Sequence, residues 1–352
     1  MQKNTGNYIW FWLGTFSIFI FLVYLLRSIL LPFVAGIIIG YLFDPLADRL
    51  EKFKINRTLA TIIVLLGAVL IVIPAGLAIL HIADIQLRTF LASAPQYVAS
   101  ISHKVTPFLT SLQETFPALG KESLSSILQN NLANSVKIFS AILRKLLSGS
   151  FALFNVVSLL LITPVVAFYM LRDWDHFVKK IDELLPRAYR RDIREQAKTI
   201  DKILSSFIRG QVMVCLSLGA FYAIGLGIIG LDLGLMVGMI AGVISFIPYV
   251  GSITGFVLSM LIAFAQFNTW PPLVAVVAVF VAGQLLEGNF LTPKLVGDSV
   301  GLHPVWVMFA LLAGGVLLGF LGLMIAVPLA AVIGVLLRFG IDKYKKSPLY
   351  KS

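Results

Sequence analysis

Charge is scarce in this sequence. Only 13% of its 352 residues are charged, against about 25% in an ordinary soluble domain. The deficit leaves long stretches with no ionisable group and excludes a water-soluble globular protein. Cysteine is nearly absent: Cys215 stands alone, so no intrachain disulfide can form and the redox compartment is not encoded. The four histidines, His81, His103, His176 and His303, show no metal-ligand spacing. No GxxxxGK[ST] loop is present, which argues against an ATP-driven pump built from this chain. HExxH is missing, and no serine or cysteine sits in a nucleophile setting. The expectation is a protein that is not an enzyme and needs no cofactor or metal.

What is abundant is apolar sequence: 59% hydrophobic residues and a mean hydropathy of +0.94. Runs of 18 or more nearly uncharged residues recur, each a candidate membrane helix. The fold class that follows is all-α, a polytopic helical membrane protein. Hydrophobic blocks fall near 8–26, 28–43, 58–81, 149–171, 207–230, 233–266, 271–290 and 303–338. The first, "YIWFWLGTFSIFIFLVYLL", is too long for a signal-peptide core and no small-x-small site follows it, so it reads as a retained span.

The formal net charge of +11 reports topology rather than a nucleic-acid partner. Ten Lys/Arg lie between Arg172 and Arg209, four in loop 44–57, and five from Arg338 onward. Placing these in the cytoplasm puts both termini inside and 82–148 outside. Segment 172–206 is amphipathic, with Ile193, Ala197, Ile200, Leu204 and Phe207 on one helical face. It reads as a basic helix on the inner membrane surface, with a regulatory docking site as the alternative. Segment 82–148 reads as several short helices broken by Pro95, Pro107 and Pro117. Asp44 before Pro45 reads as a turn closing the second span.

Blocks 233–266 and 303–338 are too long for one straight crossing of a hydrocarbon core about 30 Å thick. Each is interrupted, at "FIPYVG" (246–251) and "LLGFLG" (317–322). Cutting there leaves legs slightly short of a crossing, so each block reads as a re-entrant hairpin. Non-helical backbone at that depth is tolerated only where protein buries it or water reaches it. The two motifs share a pattern, and "GQVMV" at 210–214 parallels "GQLLE" at 283–287. Two inverted units, each a span followed by a broken hairpin, are the pattern of secondary transporters.

Candidate pathway residues follow from the breaks. Pro248, Tyr249, Gly251, Ser252 and Thr254 form or follow the first break; Gly319 and Gly322 form the second. The hydroxyls of Tyr249, Ser252 and Thr254 offer contacts to a polar ligand or simply cap the break. Glu287 is the ionisable residue deepest in the C-terminal hydrophobic half, either an ion or substrate contact or a group meeting cytoplasmic water. Gln211 and Gln284 occupy equivalent repeat positions, suited to a polar solute or to interhelical bonding; Asn289 and Pro293 follow Glu287. Glycines at 230, 234, 238 and 242 read as a close helix contact or as a sliding surface, and Gly36 with Gly40 as a helix contact. His303 before Pro304 reads as a helix start.

The stretch "EGNFLTPKLVGDSVGLHPVWVMFALLAGGVLLGFLGLMIAVPLAAVIGVLL", 287–337, resembles the AI-2E family of membrane transporters, through Glu287, Pro293, Gly297, Leu302, His303, Pro304 and Pro328. "YLFDPL" (41–46), "FYMLRD" (168–173), "RGQ" (209–211) and "FIPYVG" support it, and the likeness runs over essentially the whole chain. The resemblance implies a bacterial-type inner-membrane protein with eight hydrophobic segments and a pentameric homo-oligomer with re-entrant hairpins. That family includes exporters of autoinducer-2, and some members are linked to sodium/proton antiport. The expected function is a secondary or facilitative exporter of a small polar organic solute, with H+ or Na+ as a coupling cation. The alternatives are a sodium(lithium)/proton antiporter and a non-transporting membrane scaffold or stress protein. Residues 1–81 would be scaffold spans and 82–148 an extracytoplasmic helical segment. Residues 149–206 would hold a span plus the basic amphipathic helix, 207–338 the transport unit, and 339–352 a basic cytoplasmic tail.

Overall fold

A computed structural model describes scattered positions between 14 and 26, then residues 29–115, 153–187, 189–296, 301–347 and 350. The first apolar block therefore lies largely outside the described residues, as do Pro117 and the rest of 116–152.

Every regular element among the described residues is helical. In chain order these are α1 (Leu30–Lys52), α2 (Arg57–Thr115), α3 (Leu153–Leu184), α4 (Arg190–Ile229), α5 (Gly234–Ile244), α6 (Val250–Gln266), α7 (Trp270–Leu286) and α8 (Pro304–Lys346). α7 continues as a π-helical segment, Glu287–Val296. Among the described residues five stretches are long and apolar enough to cross a membrane: Leu30–Lys52, Arg57–Ser93, Arg190–Ile229, Trp270–Val296 and Pro304–Lys346. α5 and α6 are apolar but shorter. This is an all-α polytopic membrane protein. The chain divides into two compact units, one formed by Met1–Leu66, Val157–Arg209 and Val296–Ser352, the other by Gly67–Val156 and Gly210–Leu295.

Three local expectations are corrected. Asp44–Pro45 is not a turn: α1 runs through it to Lys52. Proline removes one backbone donor and crowds the carbonyl four residues back, but the chain end that follows is held from outside the helix. Arg57 donates to Asp44 (2.6 Å), Asp48 (2.5 Å), Glu51 (2.9 Å) and the Leu171 carbonyl (2.7 Å). One guanidinium fork thus fixes the α1–α2 connection against α3, above a core of Ala47, Val64 and Leu171. Arg57→Gln should lower stability by about 2 kcal/mol, between the values for exposed and buried ion pairs. Thermal melting in detergent checks this, and Arg57→Lys should restore only part, because an ammonium lacks the planar fork.

Pro95 and Pro107 do not break the helix either. α2 is continuous from Arg57 to Thr115 with Pro74, Pro95 and Pro107 inside it. Side chains on the same helix tie it to the second unit's other elements. Tyr97 donates to Asp232, Lys104 caps the α6 terminus at Phe264 O (2.6 Å) and Phe267 O (2.8 Å), and Gln86 accepts from Met236 N–H (3.0 Å). Tertiary contacts of this kind outweigh the local cost of a proline.

Segment 172–206 contains no separate helix. Its first part is the end of α3 and its last part the beginning of α4, with non-helical residues 185–187 after α3. Asp182 at the end of α3 accepts from Arg194 (2.5 Å to each of its oxygens) and Arg190 (2.6 Å) of α4. Those hydrogen bonds, Arg194 first and Arg190 second, hold the Asp182 carboxyl well below the usual carboxylate range. A depressed value means the tie contributes stability above the unfolded carboxylate value of about 4 and loses it only as pH falls through the lower folded value. Between pH 5 and 8 the tie should therefore be indifferent to pH. Asp182→Asn should instead speed tryptic cleavage at the exposed Arg187 at neutral pH, a gel-based assay.

Glycine contacts show close packing at two places. Gly36 packs on Val166 and Gly40 on Met170, as a helix contact should. Gly234, Gly238 and Gly242 press α5 onto the Gly219–Leu226 stretch of α4, where a Cβ at 238 or 242 would overlap α4 backbone. Gly230 leaves the series: with φ 73° and nothing near its missing Cβ, it ends α4 in the left-handed conformation that glycine favours.

Candidate functional site

The interruption inside 233–266 lies at Ser245–Tyr249. Pro248 lacks an N–H and biases Ile247 away from the helical region. Tyr249 then takes φ 67°, a left-handed value uncommon for a side chain of its size. The chain reverses, so that α5 and α6 pack side by side. Gly251 sits where any Cβ would overlap the Ser245 amide and the Ala241 carbonyl, so the tip closes only with glycine there.

Breaking a helix frees carbonyls at its end. Buried Gln211 of α4 donates its side-chain amide to the Ser245 carbonyl at 2.7 Å. Ser245 Oγ donates to Ala241 O (2.8 Å). On the other leg, Ser252 Oγ donates to Tyr249 O (3.3 Å) and Thr254 Oγ1 to Val250 O (2.6 Å). These hydroxyl protons are therefore spent within the hairpin, leaving oxygen lone pairs as acceptors. No side chain caps the start of α6. Tyr249 is 45% exposed at the tip, and Pro248 is half-buried beside it.

The second interruption is at Gly319, with φ 63° and ψ −137° inside α8. Its two sides fold back on each other. A Cβ on Gly314 would lie 2.6 Å from the Gly322 carbonyl, and one on Gly334 would lie 3.2 Å from the Leu302 side chain. In a straight helix residues 314 and 322 would be about 12 Å apart along the axis. Gly322 is again a closing glycine, buried against Gly314. A cavity of about 420 Å³ opens on this break, walled by Gly315, Leu318, Gly319, Phe320, Leu321 and Leu31. His303 starts the first leg, its Nδ1 accepting from Val305 N–H at 3.3 Å.

Glu287 lies where α7 passes into the π-helix, a rare geometry that often marks functional positions. Gln284 donates to Glu287 Oε2 at 3.3 Å. Gln284 and Gln211 thus differ: one holds a carboxylate, the other a hairpin tip. Asn289 and Pro293 are exposed on the π-helical segment.

Sequence reasoning missed Tyr222. Its side chain is fully buried, stacked on Phe280 with centroids 4.6 Å apart, and its hydroxyl has no hydrogen-bond partner among the described residues. A Cβ on Gly283 would lie 2.7 Å from that hydroxyl, and Gly283 is one helical turn from Glu287 on the same face. A signal was present, since a tyrosine amid small residues in a span needs a partner for its oxygen. The π-helix was visible only as Gly288 and Pro293 within "EGNFLTPKLV".

Residues 13–342 match the family described as AI-2E family transporter. The chain belongs to this family. Among similar proteins, "Putative transport protein YrrI" of Bacillus subtilis (strain 168) is 30% identical over 318 residues, covering 89% of this chain and 86% of its own. "Putative permease PerM" of Escherichia coli (strain K12) is 25% identical over 314 residues, covering 89% and 87%. "Putative transport protein YhhT" of the same strain is 25% identical over 332 residues, covering 94% and 90%. The chain is thus a multi-pass membrane protein of a transporter family.

Proposed function

We propose that this AI-2E member is a secondary or facilitative exporter of a small polar organic solute resembling autoinducer-2. It works in the inner membrane with both termini cytoplasmic. The observation that carries the reading is the pair of hairpins broken at Tyr249 and Gly319, the latter opening on a cavity of about 420 Å³. Hairpin tips in lipid need a wet or protein-walled surround for their unpaired backbone, and paired interrupted helices mark transporter binding regions.

In this reading Pro248, Tyr249, Gly251, Ser252 and Thr254 are the pathway residues of the first break, and Gly319 and Gly322 those of the second. Glu287, with Gln284, Asn289 and Pro293, carries a coupling cation, H+ or Na+. The Tyr222 hydroxyl, without a partner among the described residues, would share that task, while Gln211 holds the first tip. Residues 207–338 are the transport unit, and the functional assembly is a homo-oligomer, a pentamer by family resemblance. Purified protein in liposomes should accelerate efflux of autoinducer-2-like polyols over empty vesicles. Flux equal to empty vesicles for every solute tried, with or without proton and sodium gradients, would contradict it.

A further inference from the structure

The second hairpin holds a cavity separate from the one at its tip. A groove of about 590 Å³ runs between its legs, from Gly301, His303 and Arg338 at the base to Leu318 and Gly322 near the turn. Its volume falls within the range of about 300–1,000 Å³ typical of small-molecule sites. The groove exists because small residues form its floor: Ala310, Ala313, Gly314, Ala326, Ala330 and Gly334 leave space that larger side chains would fill. Trp306, Phe309, Leu329 and Leu337 stand along the walls, each at least half exposed. At 1.5 Å per residue, the first leg alone gives it a length of roughly 20 Å.

Its two ends differ chemically. Among the described lining residues Arg338 is the only one that carries a fixed charge, and it sits at the base, donating to Gly301 O at 3.3 Å. The guanidinium is exposed, and its one long bond among the described residues leaves most of its five donors available. A long, narrow, apolar channel with one cationic end is complementary to an alkyl chain bearing an anionic head. A small polar solute would bury its hydroxyls there without partners, at a cost of about 1–3 kcal/mol each.

We infer that the groove between the legs of α8 is a binding site for an anionic bilayer phospholipid, one acyl chain lying along Ala313, Ala326 and Ala330 and the phosphate at Arg338. The basic side of the membrane, where Arg338 and Lys343–Lys346 lie in the topology above, is also where anionic lipid concentrates. Such a lipid would brace the hairpin from within, which makes the site distinct from the tip cavity and independent of the transported solute.

The test uses the full chain in nanodiscs containing phosphatidylglycerol or phosphatidylcholine, each carrying a diazirine in one acyl chain. Photolabelled peptides are then mapped by mass spectrometry. Label should concentrate on groove residues of 304–341, with phosphatidylglycerol exceeding phosphatidylcholine about fivefold, the preference one basic side chain confers. Arg338→Gln, a change at an exposed position, should erase that preference while chain labelling persists. Ala313→Phe should abolish groove labelling. Label spread evenly onto outward residues such as Val281 and Leu285 of α7 would overturn the proposal. So would an Ala313→Cys protein that cross-links between subunits, since a second copy would then fill the groove. Because solute flux is not read, these outcomes do not depend on the exporter assignment.

Discussion

Gly251→Ala will abolish most of the folded protein, costing more than ~3 kcal/mol, beyond the usual range for an added methyl in a packed core. The added carbon would overlap the Ser245 amide and the Ala241 carbonyl, both backbone atoms with no rotamer to escape into. Gly322→Ala should behave the same way, since its methyl would strike the Gly314 carbonyl. The matched control is Gly67→Ala, where nothing lies within 4 Å of the new atom. That change should be neutral or slightly stabilising, because alanine favours helix by about 1 kcal/mol over glycine. Fluorescence-detected gel filtration after heating separates the three variants. Equal melting of all three would mean the hairpin tips are not closed as described.

Glu287→Gln should leave the protein folded and lower solute flux roughly tenfold or more, the equivalent of one charged hydrogen bond of about 1.5–3 kcal/mol. The amide keeps the shape and the contact with Gln284 but can neither bind a cation by charge nor exchange a proton. Tyr222→Phe removes only a hydroxyl without a partner among the described residues. It should lower flux less and leave stability almost unchanged. If Glu287 serves only to meet water, both variants will transport like the parent in liposomes.

The breaks were legible in the sequence because their cause is local. Pro248 removes a backbone donor and disfavours helix at Ile247, Gly319 admits a positive φ, and the tracts around them are too long for one crossing. The shared motif marked Gly251 and Gly322 only as pathway candidates, whereas their closing contacts are tertiary, and the left-handed residue is Tyr249 in one hairpin and Gly319 in the other. Less legible were places where tertiary contacts overrule a local signal. Asp44–Pro45 stays helical where Arg57 gathers three carboxylates, and Pro95 and Pro107 stay helical in a segment anchored by Tyr97 and Lys104. The 40-residue α4 was cut short by reading its polar first half as a separate element. Hydropathy marks where a helix leaves lipid, but its backbone hydrogen bonds do not end there. For the site, Gln211 and Glu287 stood out as polar residues in apolar surroundings, whereas the fit of Tyr222 under Gly283 depends on two helices meeting and has no signature in either one.

The central claim is that each helix interruption meets water and protein rather than lipid within the membrane. A single native cysteine makes this directly measurable: in a Cys215→Ser background, Tyr249→Cys, Phe320→Cys and the outward-facing Val281→Cys are exposed in vesicles to a charged, membrane-impermeant maleimide. The account predicts rapid modification at 249 and 320, slowed by transported solute, and none at 281. No modification at 249 and 320, or equal modification at all three positions, would contradict it.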